Sequence, residues 1–124
     1  MKKLRFNSKF LVSVALLCCC AALAGGFSKS YSLGGGTVTV SNDQKRSSWV
    51  PVALLFHFTE PVNPTVSIKR LSDGNEFLLS TVTLTNVQDV TWIPEADYPF
   101  NFGDSLVIST TATNGTLEII QRSE

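Results

Sequence analysis

Apolar and polar residues alternate at period two over most of this chain after residue 36, the pattern of strands that bury one face. Thr37-Val38-Thr39-Val40 opens the alternation and predicts a first short strand. Val50 to Thr59 predicts the strongest one. Val50, Val52, Leu54, Phe56 and Phe58 fall on one face, and Pro51, Ala53, Leu55, His57 and Thr59 on the other. The first set reads as core. The second is half apolar, so a neighbour or a partner is expected over it. Pro51 belongs at the strand's start or on an edge, because proline cannot donate to a ladder. Glu60-Pro61-Val62-Asn63-Pro64 then stops the strand.

Turn chemistry predicts two hairpins. Asp73-Gly74 suits a two-residue turn whose central residues need positive φ, which pairs Arg70 with Phe77, Ile68 with Leu79, and Val66 with Thr81. Val82 and Leu84 are out of phase with Phe77 and Leu79, so a bulge is expected near Ser80 or Thr81. Asn114-Gly115 predicts a second turn, pairing Ala112 with Leu117, Thr110 with Ile119, and Ile108 with Gln121. Between the hairpins Val90 and Trp92 mark a short strand ended by Pro94. No stretch after residue 30 shows helical periodicity. About seven short strands in roughly 90 residues predict an all-β fold, an antiparallel β-sandwich of immunoglobulin-like or jelly-roll type.

The first 26 residues have a different pattern. Lys2, Lys3, Arg5 and Lys9 form a basic head, Phe10 to Gly26 carries no charge, and Ala22-Leu23-Ala24 has the small-x-small form of a signal-peptidase site. The expected organisation is a signal peptide over 1–24, a flexible Gly/Ser-rich tether over 25–36, and the sandwich over 37–124. The product would be exported: periplasmic, cell-surface or secreted. The alternative is an uncleaved single-pass anchor through residues 10–26 with the C-terminal domain outside, the sole membrane contact expected. Nineteen uncharged residues between Lys9 and Lys29 are at the short end for a span. Cys18, Cys19 and Cys20 all lie in this segment, either as small apolar fillers or as sites for lipid attachment. Residues 25–124 contain no cysteine and so no disulfide.

Charge and candidate chemistry change this picture little. Four of the ten basic residues sit in the leader, leaving six against ten acidic ones in the rest, a net charge of −4. That balance argues against a nucleic-acid partner. His57 is the single histidine and has no nucleophile motif beside it, so a hydrolase reading rests on that residue alone. One histidine and no cysteine outside the leader leave no zinc set. No cofactor is expected. Glu95, Asp97 and Asp104 flank a loop carrying Tyr98, Phe100 and Phe102. Functionally, this loop reads as a calcium site or as a binding loop for protein or carbohydrate; structurally, as a crossover whose aromatics plug the core. Lys45-Arg46 and Lys69-Arg70 read as solvated doublets. Thr110, Thr111, Thr113 and Thr116 could line a flat binding face or simply favour strand, and Asn114-Gly115-Thr116 is formally a glycosylation sequon.

Asp89-Val90-Thr91-Trp92-Ile93-Pro94, the acidic aromatic loop, Phe102-Gly103-Asp104-Ser105-Leu106-Val107 and the final hairpin together resemble the ending of small, uncharacterised β-sandwich proteins of tailed bacteriophages. The resemblance spans about 35 residues of turn and core positions. It implies a virion or accessory component, although such proteins generally lack an export leader. The expected function is therefore an exported, non-enzymatic structural or interaction module of a surface, envelope or virion assembly, with protein partners or self-assembly. The alternative is a secreted carbohydrate- or protein-binding domain using Tyr98, Phe100, Phe102, Glu95 and Asp97.

Overall fold

The computed structural model describes residues 8–11 and 26–123. Nine strands are found among them: β1 (Ser8–Leu11), β2 (Gly26–Ser32), β3 (Thr37–Ser41), β4 (Trp49–Val62), β5 (Thr65–Ser72), β6 (Asn75–Thr83), β7 (Val87–Pro94), β8 (Ser105–Thr110) and β9 (Gly115–Ser123). They form two sheets, ordered β1-β7-β4-β9-β2 and β3-β8-β5-β6. Every neighbouring pair is antiparallel. The fold is all-β, an antiparallel sandwich.

Alternation explains the core. Leu54 and Phe56 of β4, Trp92 and Val90 of β7, and Ile119 and Leu117 of β9 lie in register and are buried together. Val38, Ile68, Val66, Leu106 and Ile108 face them from the second sheet. Burying such side chains contributes roughly 1.5–3 kcal/mol each, so a sandwich of this size needs no disulfide in its core.

The Asp73-Gly74 turn is present, with φ of 53° and 78° at its two centres, and Arg70 pairs with Phe77 as its loop length requires. The bulge falls one residue earlier than expected, at Leu79. Ile68 pairs with Ser80 and Lys69 with Leu78, which brings Val82 opposite Val66. Phe77, on the edge strand β6, is 51% exposed rather than part of the core.

Two other expectations, on the second hairpin and on the face of Val50 and Val52, are corrected. Ala112–Leu117, Thr110–Ile119 and Ile108–Gln121 do not pair. β8 belongs to the four-stranded sheet and β9 to the five-stranded one, so residues 111–114 cross between sheets. Gly115 there serves close approach: a Cβ on it would lie 2.3 Å from the His57 carbonyl oxygen. Val50 and Val52 do not share the face of Leu54. The β4–β9 register slips between Pro51 and Ala53, so Trp49 turns into the core and Val52 joins Ala53, Leu55 and Ile120 in a separate cluster. Residues 26–32, within the expected tether, are β2, paired along their length with β9. Of the expected leader, Ser8–Leu11 is β1, paired with β7. The remainder, with Cys18, Cys19, Cys20 and most of the 10–26 span, lies outside the described residues. Among the described residues no helix is long and apolar enough to cross a membrane.

Candidate interaction surface

The loop between β7 and β8 is tied to the start of β4. Trp49 N–H donates to the Phe100 carbonyl at 3.2 Å, and Phe100 N–H donates to the Trp49 carbonyl at 2.8 Å. Their rings stack at 4.7 Å with 7° between planes. Phe100 is fully buried. Asn42, in the loop after β3, completes the clasp. Its side-chain amide donates to the Phe100 carbonyl at 2.8 Å and the Ser47 carbonyl at 3.0 Å, and its Oδ1 accepts from Gln44 N–H at 2.9 Å. Its backbone exchanges bonds with Asp104 and Gly103. Each polar group of this buried side chain is thereby matched, as burial requires.

Asp104 is held beneath the loop. Its Oδ2 accepts from Asn101 N–H at 2.9 Å and from Arg70 Nη2 at 3.1 Å. Burial pushes its pKa up. The Asn101 N–H, the Ser72 hydroxyl and the Arg70 guanidinium outweigh that and hold it below the ordinary carboxylate value. The Arg70 guanidinium also lies 5.3 Å from the centre of the Phe100 ring. Arg70 is thus no member of a solvated doublet. Its phase with Ile68 and Val66 on β5 is the signal that it points inward.

The sequence-predicted site residues therefore separate. Phe100 is core, and no ligand can stack on it. Phe102 is 51% exposed. Tyr98 is half-buried against the core, and burial, then the Glu95 charge, raise its phenol pKa. Glu95 is exposed, and Asp97 pairs with Arg122 at 3.2 Å. With Asp104 committed to Arg70 and Asp97 to Arg122, the three acids do not converge on a calcium ion, and no group of three metal-ligating side chains occurs among the described residues. His57 Nδ1 contacts Asp89 Oδ1 at 2.5 Å across β4 and β7, an exposed pair beside no nucleophile motif. The threonines form no flat face: Thr110 is buried at the end of β8, while Thr111 and Thr113 lie in the crossing.

Sequence reading missed a cleft of about 180 Å³ where edge strands β2 and β3 leave the sandwich open. Phe27, Lys29 and Tyr31 line one side, Val40 to Gln44 the other, with Trp49 and Gln121 between. Only the pairing of β2 into the sheet creates it.

No family model matches the chain, and no curated protein sequence matches it. Solved structures do share its fold. The Drosophila NLP core, a crystal structure reported for insight into pentamer formation and histone binding, is 11% identical with a TM-score of 0.50 over 81% of this chain and 98% of that one. The nucleoplasmin-like N-terminal domain of Drosophila FKBP39 is 14% identical, with a TM-score of 0.46 over 81% of this chain and 88% of that one. The NLP core corrects the phage resemblance: the shared Asp89–Pro94 and Phe102–Val107 outline is turn and core grammar common to sandwiches, and that neighbour is no phage protein. The exported virion, envelope or cell-surface module built on it is corrected as well. The fold is shared with the Drosophila NLP core, and part of the expected export leader is a paired sheet strand.

Proposed function

We propose that this chain is a non-enzymatic assembly module that associates with copies of itself and binds a basic protein. The observation that carries the reading is the match over nearly the whole NLP core, a domain reported in connection with pentamers and histones. Charge supports it. Beyond residue 25 the chain has ten acidic and six basic residues, so a cationic partner meets net attraction. Within the 95–104 loop, Tyr98, Phe102, Glu95 and Asp97 are the partner-facing residues, while Phe100 and Asp104 hold the loop in place. No enzyme chemistry is invoked.

Light scattering on the full-length chain tests self-association, with the expected mass near five times the 13.5 kDa protomer. Titration with core histones at low and physiological salt tests the second half. A monomer at every concentration that also leaves histones unbound at low salt would exclude the proposal.

A further inference from the structure

We propose that copies of this chain join head to tail, β6 of one protomer adding antiparallel to the free edge of β3 in the next. The inference rests on the self-association proposed above and names the surfaces that meet. β3 and β6 are the outer strands of the four-stranded sheet, and among the described residues neither has a second strand beside it. Asn42 N–H donates to the Asp104 carbonyl and Thr110 N–H to the Gly36 carbonyl, which fixes the phase of the β3–β8 ladder. Bonded and open pairs alternate in an antiparallel ladder. Thr37, Thr39 and Ser41 therefore aim their N–H and C=O groups away from β8, at the free edge. On β6, the bond from Leu84 N–H to the Pro64 carbonyl gives Thr81 and Thr83 the same role. Such a row of ladder groups is a template for another strand.

The side chains fit the same contact. Phe77 and Leu78 straddle the β6 edge and are 51% and 55% exposed. Phe77 pairs with the inward-pointing Arg70, so it stands on the inner side of the sheet, while Leu78, opposite Lys69, stands on the outer side. A strand added at β3 turns its inner side toward the cleft between β2 and β3, where Tyr31, Val40 and Trp49 form an apolar wall. That cleft of about 180 Å³ has room for the Phe77 ring, since a cavity of about 150 Å³ takes benzene. Charge agrees. Antiparallel addition sets the β5–β6 turn of one copy beside the loop after β3 of the next. The turn carries Asp73 and Glu76 against Lys69, and the loop carries Lys45 and Arg46 against Asp43. One end is net negative and the other net positive, so the two attract. Three antiparallel steps separate β3 from β6, so they run oppositely on opposite sides of the protomer. A rotation about an axis along the strands keeps them opposed between copies, and a contact between two unlike patches closes rings rather than two-fold dimers.

The test uses the full-length chain and two variants, sized by light scattering. Phe77→Ser spoils the β6 side. Thr39→Pro removes a free-edge N–H from β3 and leaves the β8 ladder intact. Each variant alone should self-associate at least about tenfold more weakly than the parent, with its circular dichroism unchanged. Mixed in equal amounts, the two should form two-protomer complexes and nothing larger. The Thr39→Pro chain still has an intact β6, and the Phe77→Ser chain an intact β3 to receive it. Should Thr39→Pro fail to fold, Lys45→Glu with Arg46→Glu in the exposed loop replaces it, with the same expectation. Variants that keep the parent's mass overturn this inference and leave the self-association reading standing. Dissociated variants that do not recombine reveal a contact between like patches and overturn it too. A parent that is monomeric throughout removes the self-association reading and this inference together.

Discussion

Phe100 and Phe102 stand two positions apart in one loop, and the fold gives them opposite tasks. Phe100 is buried against Trp49, and Phe102 is half in water. Phe100→Ala should cost about 3–5 kcal/mol in urea unfolding, and Phe102→Ala less than about 1 kcal/mol. The reverse order would mean that the clasp is not formed. Asp104 makes a second prediction. Its folded pKa lies below its unfolded one, so its stabilisation is complete above the unfolded value of about 3.9 and is lost as pH falls through the lower folded value. Asp104→Asn should lose roughly 1–3 kcal/mol at pH 7, with the gap to the parent narrowing below about pH 4 in paired urea titrations. A gap independent of pH would remove the Arg70–Asp104 charge pair as its source. The sequence marks this loop as special. It does not say which aromatic faces inward, because that depends on where β4 begins.

At the scale of elements, local turn chemistry works once and fails once for the same kind of dipeptide. Asp73-Gly74 closes a hairpin because both residues adopt positive φ. Asn114-Gly115 does not, since its flanking strands join different sheets and the glycine is needed for contact with β4. Gly115→Ala would set a Cβ 2.3 Å from the His57 oxygen and 2.9 Å from the Phe58 Cα, both backbone. It should cost about 1–3 kcal/mol. Gly74→Ala meets no neighbouring atom and carries only its φ strain, about 1 kcal/mol. Thermal unfolding of the two variants measures this; equal Tm losses would contradict the close approach. The bulges at Leu79 and Val52 show the other limit. A slip of phase is visible in sequence, but the residue that leaves the ladder is chosen by the partner strand.

At the scale of the whole molecule, the proposed association is testable through charge: beyond residue 25 the chain has ten acidic residues against six basic ones. Binding of a basic protein should weaken as salt rises, because screening acts most on exposed charges. Reversing Glu95 and Asp97 to lysine should weaken it by about five- to tenfold, read by calorimetry at low salt. Unfolding of that variant should be nearly unchanged, since Asp97 is an exposed partner of Arg122. Affinity indifferent to both salt and charge reversal would separate partner binding from this loop.

Period-two alternation alone determined that this chain is all-β, antiparallel and two-layered, with Leu54, Phe56, Ile68, Trp92 and Leu106 in its interior. That is so because face selection is a local property of the pleat. Tertiary structure decided what depends on distant partners: that residues 26–32 are an edge strand, that β8 and β9 part company, that Phe100 and Asp104 are structural, and that the five-stranded sheet has a second apolar face. Hydrogen-bond ladders join residues far apart in sequence, and a period of two records which side a residue faces without recording who stands opposite.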